Sequence, residues 1–293
     1  MKLQGIFPAI ATPFDAKGEL YKIKVQHNIE RWNRTQLAGY VVCGSTGEAA
    51  LLSSAERLQL MEWVAQHATP EKTLIAGTSA ESVKETVEMA NRAADMGYKA
   101  ALVLPPHYYR ATFAKPETQK LFFRAVADQT KIPVLLYHFP QVTQVDLAPE
   151  TVAELSSHPN IVGMKDSSGD LEGTKKYLAA VPKEFTVLTG AGGKLAPSLA
   201  AGCAGAVLAI ANSLPYVCIT IWEAYRQREA EAAEDWQARL KPATDMFAAH
   251  GIPGLKHAMD LMGYFGGPPR LPLVPVSPAA QAEIAKAYEG LKG

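Results

Sequence analysis

Residues 161–170 read IVGMKDSSGD: an apolar run delivers a lysine, Lys165, into a polar stretch. Lysine is almost never fully buried unless it is paired or functional. In a dry pocket its ammonium form is disfavoured, so a neutral amine becomes available. That amine can attack a carbonyl and form a Schiff base. The plainer reading is a lysine that snorkels to solvent or pairs with Asp166 or Asp170. The preceding apolar run, PVLLYH, ends in Tyr137 and His138. If the two runs are adjacent strands, ~5 Å apart, the Tyr137 phenol can approach the amine and pass a proton. Taken alone, Tyr137 is an ordinary strand tyrosine, and His138 reads as structural.

Two glycine-rich stretches follow other apolar runs. In GSTGE (44–48), Ser45 and Thr46 sit between glycines whose backbone freedom lets hydroxyls and N–H groups converge on an anion such as a carboxylate. The same letters are also ordinary turn chemistry. In TGAGG (189–193), Gly190 opens a loop at a strand end and is a candidate substrate-binding position. GAGGKL (190–195) lacks the spacing and the hydroxyl after Lys194 that a phosphate loop needs. The seven histidines show no metal-ligand spacing, so no metal site is expected.

These residues need a scaffold. Runs rich in Val, Ile and Leu recur as IFPAI (6–10), GYVVCG (39–44), TLIAGT (73–78), AALVLP (100–105), PVLLYH (133–138), IVGMK (161–165), FTVLTG (185–190) and GAVLAI (205–210). Most are continuous rather than alternating, as strands buried on both faces of a parallel sheet must be. Helix-like segments separate them. SSAERLQLMEWVAQHA places Leu58, Met61, Val64 and Ala65 on one face, and Ser53 or Ser54 with Glu56 suits a helix start. AESVKETVEMANRAADMG places Val83, Val87, Ala90 and Ala94 together and stops at Gly97. Eight such units predict an α/β fold, a (β/α)₈ TIM barrel, whose reacting groups lie at the C-terminal strand ends. A doubly wound sheet is the competing fold, but AIATPFDAKG is no dinucleotide fingerprint. The barrel is expected over 1–215, carrying the active site. Residues 216–293 are expected to form a C-terminal helical extension packed on it.

Bulk composition agrees with a large α/β chain. There are 293 residues, 48% hydrophobic, with 29 Lys+Arg balancing 29 Asp+Glu. Zero net charge without a long basic run argues against nucleic acid or an acidic membrane surface as partner. No apolar run of about 18 residues predicts a membrane span. Cys43, Cys203 and Cys218 lie far apart in apolar segments and read as buried hydrophobes in a reducing compartment. The N-terminus has no apolar signal core, so a cytoplasmic location is expected.

With these residues in place, the sequence resembles the dihydrodipicolinate synthase / N-acetylneuraminate lyase family of class I, Schiff-base-forming lyases. TPF, GSTGE, PPHYYR, PVLLYHFP, NIVGMKDSSGD and AVLAIAN carry the resemblance nearly end to end. It implies the barrel with a helical extension, and a homotetramer. It implies that Lys165 forms the Schiff base with C2 of a 2-oxo acid, typically pyruvate, and that Tyr137 moves the proton. Ser45 and Thr46 would hold the carboxylate, and Val207 would border the bound pyruvate. Tyr108, or Tyr109 beside it, falls on the family's relay tyrosine, which reaches into a neighbouring subunit's site. No organic or metal cofactor is implied, because the imine is itself the electron sink.

One departure concerns the aldehyde partner. Dihydrodipicolinate synthases carry an arginine two residues after the proline of Tyr-x-x-Pro, where it binds the second substrate's carboxylate. Here YHFPQVT puts Val142 there, with Arg110 as a possible substitute. HPNIVGMKDSSGD and GIPGLKHAMDLMGYFGGPPRLPL look most like the 4-hydroxy-2-oxoglutarate aldolase branch, with Ser167 a further substrate-contacting hydroxyl. The expected reaction is therefore retro-aldol cleavage to pyruvate and an aldehyde. Dihydrodipicolinate synthase is the alternative, and a catalytically silent 2-oxo acid binding protein is the reading from another class.

Overall fold

The computed structural model describes residues 3–291. Eight short strands alternate with helices: β1 Gly5–Pro8, β2 Gly39–Val42, β3 Thr73–Gly77, β4 Ala100–Val103, β5 Val134–His138, β6 Ile161–Asp166, β7 Thr186–Thr189 and β8 Gly205–Leu208. All pair in parallel in the order β1-β8-β7-β6-β5-β4-β3-β2. A parallel bridge between Ala9 and Val41, with Ala38 N–H donating to the Ile6 carbonyl, joins β1 to β2 and closes the ring. The expected (β/α)₈ barrel is present, and each strand falls within two residues of its sequence-predicted run.

Two separate cores explain why the strands are apolar on both faces. Phe7, Val41, Ile75, Leu102, Leu135, Leu188 and Val207 fill the barrel interior. Ile6, Tyr40, Val42, Val103, Leu136, Met164 and Leu208 face the helices. This is the layering that closes a parallel barrel.

The helix Ser54–His67 starts on a capping box: Ser53 Oγ accepts from Glu56 N–H, and the Glu56 carboxylate accepts from Ser53 N–H. Its buried face is Arg57, Leu60, Met61 and Val64, a slight rotation from the apolar stripe in the sequence. The helix Val83–Asp95 likewise buries Thr86, Met89, Ala90 and Ala93, leaving Val83, Val87 and Ala94 half-buried. In both, a polar residue whose side chain finds carbonyl partners takes a place on the buried face. Arg57 donates to the carbonyls of Gly77 and Ser79, and Thr86 to that of Ser82.

After β8 come the helix Pro215–Arg226, the long helical segment Ala230–Leu261 and the helix Pro278–Ala287. The long segment breaks at Gly251, whose φ of 56° and ψ of −144° are non-helical. No described helix is long and apolar enough to cross a membrane.

Candidate active site

β6 aims Lys165 inward by a departure from simple alternation. Ile161 and Met164 both pack in the outer core, although they are three residues apart. The register against β5 runs Val134–Ile161 and then Leu135–Gly163, so one extra residue is accommodated on β6. Without this bulge, Lys165 would share a face with Ile161; the bulge resets the alternation and turns the lysine into the barrel. Gly163 makes the bend feasible, because a Cβ there would lie 2.4 Å from the Thr186 carbonyl oxygen.

From that point β5 and β6 pair residue for residue, Tyr137 with Lys165 and His138 with Asp166. Lys165 is 4% exposed, and its Nζ donates to Tyr137 Oη at 3.0 Å. The same nitrogen stands 4.1 Å from the centre of the Tyr137 ring. Phe139 stacks on that ring at 5.8 Å and fixes its plane. No carboxylate pairs with Lys165 among the described residues, so the snorkelling and ion-pair readings both fail; Asp166 points the other way, to His138.

A cavity of about 530 Å³ opens above the pair. Its walls include Ser45, Thr46, Ser167, Gly190 and Val207, so the sequence-predicted substrate-binding residues converge around Lys165. Ser45 and Thr46 lie in a tight turn, Ser45–Gly47, whose last carbonyl accepts from Thr12 Oγ1 at 2.6 Å. The turn ends at Glu48, a buried non-glycine residue with φ of 56°. Its carboxylate bonds Lys256 Nζ at 2.7 Å and accepts from Arg270 N–H at 2.8 Å. Burial lowers the Lys256 pKa, against the opposing pull of Glu48. The C-terminal extension thus clamps the turn that carries the two hydroxyls.

Tyr108 and Tyr109 behave differently. They are 77% and 67% exposed, packed edge to face against each other, and neither lines the cavity of their own chain. Glu81 accepts from the N–H groups of His107 and Tyr108 and holds their loop in place. Arg110 is exposed, bonded to Gln144, and also outside the cavity. Val142 does line it.

Several wall residues carried no signal in the sequence. Thr244, Asp245, Phe247, Ala248, Gly251 and Ile252 complete the cavity from the C-terminal extension. The Gly251 break was the available clue, since HGIPG interrupts an otherwise helical stretch. Among the described residues no group of three or more His, Cys, Asp or Glu is placed to hold a metal ion. The three cysteines are buried, and burial pushes each thiol up to about 12.

A closed α/β barrel with a buried amine against a phenol at its C-terminal mouth is the architecture of a lyase that works through a lysine Schiff base. Comparison with known proteins agrees. The profile of the Dihydrodipicolinate synthetase family matches residues 2–290, and the chain belongs to that family. It is 34% identical over 293 residues to the 4-hydroxy-tetrahydrodipicolinate synthase of Exiguobacterium sp., covering 97% of each chain. It is 38% identical over 283 residues to that of Stenotrophomonas maltophilia, covering 96% of this chain and 94% of the other. Among solved structures, a dihydrodipicolinate synthase from Bacillus anthracis superposes with a TM-score of 0.93 at 26% identity, covering 99% of both chains. YagE from E. coli, a prophage protein of the same family solved in complex with pyruvate, gives 0.93 at 27% identity over 99% and 98%. The names of these relatives favour the synthase alternative over the 4-hydroxy-2-oxoglutarate aldolase branch.

Proposed function

We propose that this protein makes or breaks a carbon–carbon bond at C3 of pyruvate held as an imine on Lys165, with Tyr137 as the proton carrier. The observation that carries the reading is the 3.0 Å Nζ–Oη contact inside a buried pocket lined by Ser45 and Thr46. The unprotonated amine adds to the C2 carbonyl, and loss of water leaves a protonated imine. In the forward condensation Tyr137, having given its proton to the departing hydroxyl, takes a proton from C3 to yield an enamine, and C3 then attacks the aldehyde carbon. The aldehyde oxygen takes its proton from Tyr137. Water, or an amine carried by the aldehyde partner, adds at C2 and displaces the lysine nitrogen, releasing the product and restoring the Lys165 amine. Cleavage is the same sequence reversed: Tyr137 removes the C4 hydroxyl proton, and the C3–C4 electrons flow into the imine. Ser45 and Thr46 hold the pyruvoyl carboxylate, Ser167 and Gly190 border the aldehyde side, and Val207 packs on the bound pyruvate.

For the aldehyde, the relatives' names support condensation with aspartate semialdehyde, the 4-hydroxy-tetrahydrodipicolinate synthase reaction. A second reading, cleavage of a 4-hydroxy-2-oxo acid, has its own observation. Lys165 is the sole basic side chain lining the cavity among the described residues, and Val142 stands where a carboxylate-binding arginine is expected. Tyr108 enters only through assembly: its outward placement suits a relay donated to a neighbouring copy in a homotetramer.

Borohydride reduction in the presence of pyruvate, followed by peptide mass spectrometry, tests the shared step. A stable adduct on Lys165 is expected. An unmodified Lys165 sinks the imine and favours a silent 2-oxo acid binding protein. Turnover of pyruvate with aspartate semialdehyde, measured beside pyruvate release from 4-hydroxy-2-oxoglutarate, then separates the two readings.

A further inference from the structure

Behind the Lys165–Tyr137 pair lies a second pair in the next register position. His138 and Asp166 follow the tyrosine and the lysine directly, and they point out of the barrel into the helical layer, both almost fully buried. His138 Nδ1 lies 3.0 Å from Asp166 Oδ1, and His138 Nε2 lies 2.8 Å from Asp146 Oδ1. Asp166 is a hub. Its Oδ1 also accepts from Ser168 N–H at 3.0 Å, and its Oδ2 from Thr174 Oγ1 at 2.6 Å. Its backbone carbonyl accepts from Gly190 N–H, and the His138 carbonyl accepts from Ser167 N–H. One cluster therefore ties together the ends of β5 and β6 and the loops carrying Ser167 and Gly190.

We propose that His138 and Asp166 are positioning residues, a latch that sets the Lys165–Tyr137 geometry by holding both ring nitrogens of His138 against carboxylates. This rests on the imine reading above. The argument is one of bonding partners. Each ring nitrogen of His138 faces a carboxylate, so the ring joins the end of β6 to the loop after β5. Asp166 faces His138 from β6, Asp146 from the loop after β5, and the Tyr177 hydroxyl from the helix Leu171–Ala180, at 3.3 Å from Nδ1. Asp170 and Glu150 add negative charge around Tyr177. Asp166 remains ionised: burial raises its pKa, but the bonds from His138, Thr174 and Ser168 outweigh that and leave it below the usual carboxylate range.

Catalysis is steep in geometry; a shift of about 1 Å between reacting groups costs on the order of 10²-fold. His138→Asn, whose single amide nitrogen cannot span the two carboxylates that the imidazole bridges, is expected to lower kcat by roughly 10- to 100-fold per active site. Sites are counted by borohydride trapping with pyruvate, so unfolded enzyme does not enter the rate. Asp146→Ala is the companion variant, because the Asp146 side chain is 75% exposed and its loss threatens no core packing. Removing that carboxylate leaves Nε2 without its partner and the latch half made, so kcat per trapped site is expected to fall by roughly 3- to 10-fold with little change in KM for pyruvate. A purely structural His138 would change melting temperature but not the rate per trapped site. Wild-type kcat per site in either His138→Asn or Asp146→Ala overturns the latch. Failure to trap wild-type Lys165 overturns the imine reading, and the latch with it; the two failures are read from different proteins.

Discussion

Lys165 Nζ and Tyr137 Oη meet at 3.0 Å because β5 and β6 pair those two residues directly, two positions past the Leu135–Gly163 pair at which the bulge resets the register. The amine contributes little to the fold, since its partner is a single phenol. Lys165→Ala should therefore lose turnover by more than about 10³-fold, on the scale of nucleophile removal in other covalent enzymes. Its circular dichroism and melting curve should stay close to those of the wild type. Activity above a tenth of wild type would remove Lys165 from the mechanism.

Tyr137→Phe keeps the ring that stacks on Phe139 and deletes only the hydroxyl. The expected cost is 10²–10⁴-fold in kcat, the usual worth of a positioned proton carrier. Imine trapping should persist, because the nucleophile is untouched. A variant that turned over normally would place the proton transfer elsewhere in the cavity.

Gly190 offers a test that deletes nothing. A Cβ at this position would lie 1.9 Å from Ser167 Oγ and 3.0 Å from Lys165 Cε. Ser167 must swing away or the loop must shift, and either disturbs the cavity beside the amine. Gly190→Ala should lower kcat/KM by about 10-fold or more, with a smaller effect on melting temperature. Unchanged kinetics would mean that Ser167 and Gly190 do not border the reacting atoms.

The acid end of the stability curve should carry the mark of Glu56. Its hydrogen bonds to Arg270, the largest influence, lower its pKa from 4.5 to about 2. A depressed carboxylate stabilises the fold above its unfolded pKa and loses that contribution as pH falls through its folded value. The gap in melting temperature between wild type and Glu56→Gln should be constant above pH ~4.5 and close between pH ~4.5 and ~2. The pair is part-exposed, so its neutral-pH worth is roughly 1 kcal/mol after screening. A gap that widened on acidification would contradict the assignment.

The barrel was legible because its strands are apolar on both faces and its breaks fall at glycines and prolines; GYVVCG and GAVLAI could be little else. Lys165 stood out for the same reason, an amine at the end of a run that otherwise rejects charge. The direction of its side chain was not legible. Simple alternation from Ile161 points it outward, and only the pairing of Gly163 with Leu135 across strands turns it in. The buried faces of the helices Ser54–His67 and Val83–Asp95 were misplaced by about one position, where Arg57 and Thr86 found carbonyl partners. Asp245 and its neighbours line the cavity from the C-terminal extension, on the segment that breaks at Gly251, a tertiary placement that local pattern does not encode.

Val142 bears on the aldehyde partner most directly. It lines the cavity and is half exposed, so a longer side chain there can extend over the mouth without displacing core atoms. A charge-assisted bond to a carboxylate is worth about 1.5–3 kcal/mol, or roughly 10- to 100-fold in kcat/KM if it is made in the transition state. If the native pocket lacks a carboxylate partner, Val142→Arg should raise kcat/KM for pyruvate with aspartate semialdehyde by about that factor. An uncharged aldehyde of similar size should gain nothing, which isolates the charge from any general effect on the enamine. If the wild type already condenses aspartate semialdehyde efficiently and Val142→Arg adds nothing, the carboxylate is held by another group. Lys165 is committed to the imine, so the remaining candidates are the hydroxyls and N–H groups of the wall. The size of the Val142→Arg response therefore reads out how much of the acceptor's charge the native pocket recognises.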